Sequence, residues 1–126
     1  MSRHIGTYSD AVAIPAGALQ VVLFGTPGLR PDGALPKDFA EEAGQASDNV
    51  CAALRCAGAE LSDIVQVRSW LTDRDDIDAC VKVRKDVISH RPAYVLAVVP
   101  QLIGPGLRLE IEGTAVVTYS AAEQHE

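Results

Sequence analysis

A mixed α/β (α+β) fold, one sheet with two helices on one of its faces, is what this sequence predicts, and three observations carry the prediction. Residues 106–118 alternate at period two: Leu107, Leu109, Ile111, Gly113, Ala115 and Val117 share one face, and Arg108, Glu110, Glu112, Thr114 and Val116 the other. Two longer stretches repeat apolar residues at spacings of three and four, as amphipathic helices do. Between these lie short apolar runs bounded by Gly, Pro and Asp, the punctuation of strands. At 126 residues there is room for one core, so residues 1–126 read as a single domain. Apolar residues make up 48% and aromatics only 5%, so that core is built from Ala, Val, Leu and Ile.

Residues 5–14 open the chain, with Tyr8 among small and polar neighbours. Pro15-Ala16-Gly17-Ala18 reads as a turn, and residues 19–24, apolar on both faces, as a central strand hairpinned to residues 11–14. Gly25-Thr26-Pro27-Gly28 breaks that strand, and Pro31-Asp32-Gly33 turns the chain again. Asp38 then opens a helix running to about Cys56, with Gly58 as its left-handed terminator. Phe39, Ala43, Ala46, Val50, Leu54 and Ala57 form its stripe, and so much Ala lets the helix lie close to a sheet. A strand follows over residues 64–72, with Val65, Val67, Ser69 and Leu71 on one face and Gln66, Arg68, Trp70 and Thr72 on the other. A second helix begins near Asp73, its positive end loaded by Asp73, Asp75 and Asp76. Its stripe is Ile77, Cys80, Val81, Val87 and Ile88, and His90-Arg91-Pro92 ends it. Residues 94–99 are a nearly continuous apolar strand, again central in character, and a turn over 100–105 leads to the alternating strand. Residues 120–126 read as a polar, frayed tail.

The two helices make one layer, which leaves the other sheet face uncovered within the chain. Gln66, Arg68, Trp70, Arg108 and Glu110 fall there beside apolar Val116, and a half-apolar face without cover argues for self-association. The net charge of −6 argues against nucleic acid as a partner. No run of 18 apolar residues exists to span a membrane, and the first residues lack the apolar region of a signal peptide. Three cysteines without paired spacing read as the reduced thiols of a cytoplasmic protein. Cys51, Cys56 and Cys80 fall on helices with no His or third thiol at ligand spacing, so no metal site is expected. His4, His90 and His125 show no partner motif, and neither Gly25-Thr26-Pro27-Gly28 nor Gly104-Pro105-Gly106 precedes the Lys-Ser or Lys-Thr of a phosphate loop.

An ordered set of short motifs resembles the RidA/YjgF family. These are Ile5-Gly6-Thr7-Tyr8-Ser9, Phe24-Gly25-Thr26-Pro27, Pro31-Asp32-Gly33, Asn49 in the long helix, and Ala57-Gly58-Ala59. Leu61-Ser62-Asp63-Ile64-Val65, Trp70-Leu71-Thr72-Asp73, Arg91-Pro92-Ala93 and Leu109-Glu110-Ile111-Glu112-Gly113 complete the set, in order across residues 5–118. The resemblance implies a fold similar to Bacillus-type chorismate mutase and a homotrimer with small-molecule clefts between subunits. It also implies cofactor-free hydrolysis of enamines and imines, such as 2-aminoacrylate, to keto acids and ammonia. In that family an Arg after Pro-Ala clamps the substrate carboxylate, and the first Glu of Glu-Ile-Glu positions or activates water. Glu110 matches the Glu. The Arg has no match, because Tyr94 follows Pro92-Ala93. Phe24 stands where Ser is usual, Thr26 where Gln is usual, Thr7 where Pro is usual, and Val81 where Asn is frequent.

Roles follow as expectations. Glu110 is the candidate base or water-orienting group; otherwise it pairs with Arg108 or Arg68 at a subunit boundary. Tyr94 is a pocket hydroxyl or acid, or it fills the space the Arg left. Tyr8 lids the cleft or packs the N-terminal arm, and Gly25 supplies backbone contacts or simply ends a strand. Phe24 and Thr26 flank that glycine and line the substrate site. Arg68 and Arg108 stand in as carboxylate clamps or form cross-strand pairs, and Trp70 packs an interface. Charge-assisted hydrogen bonds are worth ~1.5–3 kcal/mol each, so losing a bidentate Arg weakens carboxylate binding by several kcal/mol. The expected activity is therefore action on an enamine, imine or carbonyl compound, by hydrolytic deamination, tautomerisation or cyclisation, with specialised biosynthesis as one setting. The alternative is a trimeric binding or stabilising protein that lost catalysis with the arginine.

Overall fold

The alternating stretch becomes strand β4 (Leu109–Val117), which has a partner along each edge. The computed structural model describes residues 8–118; Thr7, His4, His125 and the tail 120–126 lie outside it. The other elements are β1 (Leu19–Pro27), α1 (Phe39–Cys56), β2 (Ile64–Leu71), α2 (Ile77–Val87) and β3 (Ala93–Val98). Short 3₁₀ turns at Leu61–Asp63 and Arg74–Asp76 lead into β2 and α2. The four strands lie in the order β1-β4-β2-β3. β1 and β2 flank β4 antiparallel, and β3 runs parallel to β2.

Local chemistry sets the helix ends where the sequence places them. The Asp38 carboxylate accepts the Ala40 N–H at 2.8 Å, satisfying one of the first-turn donors of α1. At the far end Gly58 takes φ +83°, and the Ala59 N–H reaches back to the Leu54 carbonyl at 2.9 Å. Asp73 caps the turn before α2 through the Asp75 N–H, 2.9 Å away. The helices share one side of the sheet. Val50 and Leu54 of α1 pack with Leu23, Ile64, Val67 and Ala115, while Phe39, Ala43 and Ala46 pack with Leu71, Leu109 and Cys80 of α2. No helix among the described residues is long and apolar enough to cross a membrane.

Four expectations need correction. Residues 11–14 form no strand, and β1 pairs with β4 instead; Pro15 has no N–H to continue a ladder, and Gly17 at φ +80° turns the chain. β1 does not stop at Phe24 but runs to Pro27, absorbing one extra residue in a bulge. The strands expected to be central, β1 and β3, are the two edges of the sheet. Their apolar runs follow from faces that water reaches in the single chain, since Val22 is 68% exposed and Val95 52%. Val65 leaves the core face, because an irregularity between Ile64 and Gln66 hands its place to Ile64, which is 3% exposed.

Candidate functional site

The bulge in β1 builds the centre of the site. Leu23 pairs with Gly113 and Thr26 with Ile111, so Phe24 and Gly25 together oppose the single residue Glu112. Two residues against one turns both toward the face that the helices leave bare. Thr26 Oγ donates to the Phe24 carbonyl at 3.0 Å and braces the bulge from within. Across the ladder, the Glu110 carboxylate lies where a side chain at position 25 would start: a Cβ there would sit 2.5 Å from Glu110 Oε2. Glycine at 25 thus makes room for the carboxylate, a firmer role than ending a strand.

The Glu-Ile-Glu segment supplies two carboxylates to this face, and their surroundings separate them. Glu112 Oε1 accepts the Trp70 indole N–H at 2.8 Å and Arg68 Nε at 3.0 Å. The indole hydrogen bond, with the help of Arg68 and against partial burial, holds the Glu112 carboxyl below the usual carboxylate range. Glu110 stands directly across from Trp70, half-buried, and none of the hydrogen bonds or ion pairs among the described residues holds its carboxylate. The expected ion pair of Glu110 with Arg68 or Arg108 does not form. Arg68 pairs with Glu112.

Arg108 turns away altogether. It precedes β4, and its Nε meets Glu42 Oε1 at 2.7 Å, its backbone N–H meets Glu42 Oε2 at 2.8 Å, and an Nη donates to the Pro36 carbonyl at 3.0 Å. Glu42 is fully buried, and a buried carboxylate requires such a partner. Arg108 is therefore a staple between α1 and the start of β4, in place of the clamp the sequence suggested.

The two tyrosines lie elsewhere. Tyr94 pairs in register with Val67, a core residue, and so points to the helix side of the sheet, opposite to Glu110. Its hydroxyl donates to Ser69 Oγ at 3.4 Å, and the Arg84 guanidinium stacks on its ring at 4.5 Å. Burial, then the neighbouring Cys80, pushes its pKa up to about 12, which makes it a poor acid near neutrality. Tyr8 belongs to an arm held at the other end of β3: Ser9 donates to the Pro92 carbonyl at 2.9 Å, and Arg91 Nη2 to the Tyr8 carbonyl at 3.3 Å. Glu110 is level with Trp70 and Ala97, and Ala97 lies four residues, about 13 Å at the rise of a strand, along β3 from Ala93, the end where the arm is held. Within one chain Glu110 meets Gly25, and Phe24 and Arg68 share its face of the sheet; Tyr8, Tyr94, Thr26 and Arg108 do not join them.

Glu42 and Arg84 were missed, and each left a signal. Glu42 lies three residues after Phe39 and four before Ala46, on the apolar stripe of α1; Arg84 lies four after Cys80 on that of α2. A charge inside an apolar stripe demands a partner from elsewhere in the chain. His90, read as lacking a partner motif, sets Nε2 at 2.6 Å from the Ile64 carbonyl and ties the loop before β3 to β2. The cavity between helices and sheet, lined by Ser69, Cys80 and Arg84, is only about 30 Å³, room for water and not for a substrate. A groove of about 340 Å³ on the bare face lies beneath the arm, lined by Val12, Ile14, Gln20, Val65, Gln66, Ala93 and Thr114. Among the described residues no cluster of His, Cys, Asp or Glu is placed to hold a metal ion.

Fold and site together define a small α+β protein that carries an unengaged carboxylate on the sheet face its own helices leave open. Known proteins share that fold. The family model of endoribonuclease L-PSP matches residues 2–117, and the chain belongs to that family, the one that includes RidA and YjgF proteins. The chain is 31% identical over 118 residues to mouse 2-iminobutanoate/2-iminopropanoate deaminase, covering 89% of this chain and 82% of that protein. The bovine protein of the same description is 32% identical over 118 residues, at 89% and 81% coverage. The crystal structure of RidA from the Antarctic bacterium Psychrobacter sp. PAMC 21119 superposes with a TM-score of 0.74 at 30% identity, covering 90% of each chain. A YjgF/YER057c/UK114 family member from Mycobacterium tuberculosis gives a TM-score of 0.70 at 32% identity, over 92% of this chain and 91% of that one.

Proposed function

We propose that this protein is a deaminase-like enzyme that hydrolyses an imine or enamine without a cofactor, with Glu110 handling the proton or the water. The observation that carries the reading is the division of labour in Glu-Ile-Glu: Glu112 is tied down by Trp70 and Arg68, while Glu110 rests on Gly25 with its carboxylate unengaged. A general base of this kind contributes about 10²–10⁴-fold. Hydrolysis of a C=N bond asks for little more, since water adds to the carbon, a proton passes to nitrogen, and ammonia leaves. The same equipment suits tautomerisation or cyclisation, and a specialised biosynthetic pathway is a fitting setting. Membership in a family with relatives described as imine deaminases supports the class of reaction.

The active unit in this reading is a homotrimer in the cytoplasm, its clefts lying between chains. Support comes from the exposed apolar residues of the edge strands, Val22 and Val95, and from three free thiols. A cleft between copies would let the Tyr8 arm of one chain approach Glu110 of the next, which a single chain does not do; Tyr94, packed on the helix side against Ser69 and Arg84, stays out of it. The family's name speaks of ribonuclease action, which suits this chain poorly: its net charge is −6, and the site face holds two carboxylates against Arg68. A second reading, a binding protein without catalysis, is favoured by Tyr94 standing where a clamp is expected and by the engagement of both Arg68 and Arg108. Ammonia release from freshly generated imines, 2-iminopropionate among them, decides between the two. Turnover that Glu110→Ala abolishes is the enzyme's result; saturable binding with no turnover on any imine is the binder's.

A further inference from the structure

The surroundings of Glu110 specify more than a reaction. Phe24 projects from the bulge 87% exposed, and Thr26 braces the backbone that carries it. It shares the bare face with Gly25, on which the Glu110 carboxylate rests, and Glu110 is level with Trp70 on β2. The Trp70 indole N–H is committed to Glu112, which fixes the plane of that ring. Charge points the same way. Arg68 gives its Nε to Glu112 and Arg108 is turned toward Glu42, so Glu110 and Glu112 together outweigh the cation left on this face. An incoming carboxylate meets like charge and finds no fork aimed at it.

We propose that the site takes an uncharged molecule with a flat apolar body and an N–H donor at its head, with Phe24 as the specificity-determining side chain. The body lies against Phe24 and Trp70, and the head donates to Glu110. Carboxylate-bearing analogues of the same shape are disfavoured. This rests on the reading of Glu110 given above and deepens it by naming the class of substrate.

Phenylacetamide and phenylacetate, alike except that one ends in an amide and the other in a carboxylate, test it. Trp70 is the only tryptophan of the chain, so its indole N–H gives a single, assignable ¹H–¹⁵N signal beside the site. Titration of the full-length protein is expected to move that signal saturably with phenylacetamide, at a Kd at least tenfold below that for phenylacetate. Phe24→Ala is expected to raise the phenylacetamide Kd about tenfold, Phe24→Leu to recover part of it, and Glu110→Gln to narrow the gap between the probes. Equal or tighter binding of phenylacetate, still sensitive to Glu110→Gln, overturns the choice of an uncharged ligand and leaves the Glu110 site standing. An unchanged Kd in Phe24→Ala, or a change of its sedimentation mass, overturns the role given to Phe24. Silence of the Trp70 signal toward both probes overturns the proposal, while ammonia release from imines separately judges the reading of Glu110.

Discussion

Two glutamates two positions apart are held differently because their neighbours differ. Glu112 has an indole donor and a guanidinium; Glu110 has a glycine beneath it and no bond to hold it. Gly25→Ala therefore forces the Glu110 carboxylate aside, since the new Cβ would lie 2.5 Å from Oε2. Because the displaced atom is the end of a flexible side chain, stability should change by less than about 0.5 kcal/mol, as for an ordinary surface substitution. Imine turnover should fall at least tenfold, a contrast that a thermal melt and an ammonia assay on the same sample will read. Glu112 sets a pH dependence. Its folded pKa lies below the ordinary value, so its contribution is present above the usual carboxylate range and lost as pH falls through the lowered one. Trp70→Phe removes the main cause of that lowering; it should cost about 1 kcal/mol near neutrality and progressively less in acid, in urea melts across pH.

At the scale of elements, the staple between Glu42 and Arg108 decides how β4 begins. Glu42→Ala strands the Arg108 guanidinium Nε and backbone N–H that Glu42 now holds, and since Arg108 keeps 30% of its side chain in contact with solvent the loss should be about 3 kcal/mol, the low end for a broken buried pair. Equilibrium unfolding of Glu42→Ala against Glu42→Gln, which retains hydrogen bonding, measures it. The elements were largely legible. Alternation located β4, and Asp38 and Gly58 bracketed α1. The bulge was not legible, because Gly25-Thr26-Pro27-Gly28 carries the same residues as a turn, and only the pairing with Leu109–Val117 shows that the strand continues. For the same reason Phe24, Gly25 and Glu110 were each foreseen but their meeting on one face was not. Arg108 misled because the alternation was extended to a residue just before β4 starts, where the side chain answers to Glu42 instead of the sheet.

For the whole molecule, the telling mismatch is between pattern and place. β1 and β3 have the apolar runs of inner strands and the positions of edge strands, and Val22 and Val95 meet water in the single chain. Self-association would resolve this, and sedimentation of the wild type is expected to give the mass of three chains, with Val95→Glu shifting it toward one. A monomeric wild type would leave Tyr8 far from Glu110 and remove the proposed cleft. Most direct of all is ammonia release from a panel of charged and uncharged imines by Glu110→Gln and Glu112→Gln side by side. At least a hundredfold fall for Glu110→Gln, against less than tenfold for Glu112→Gln, is the predicted outcome; a folded Glu110→Gln that works as well as wild type would contradict it.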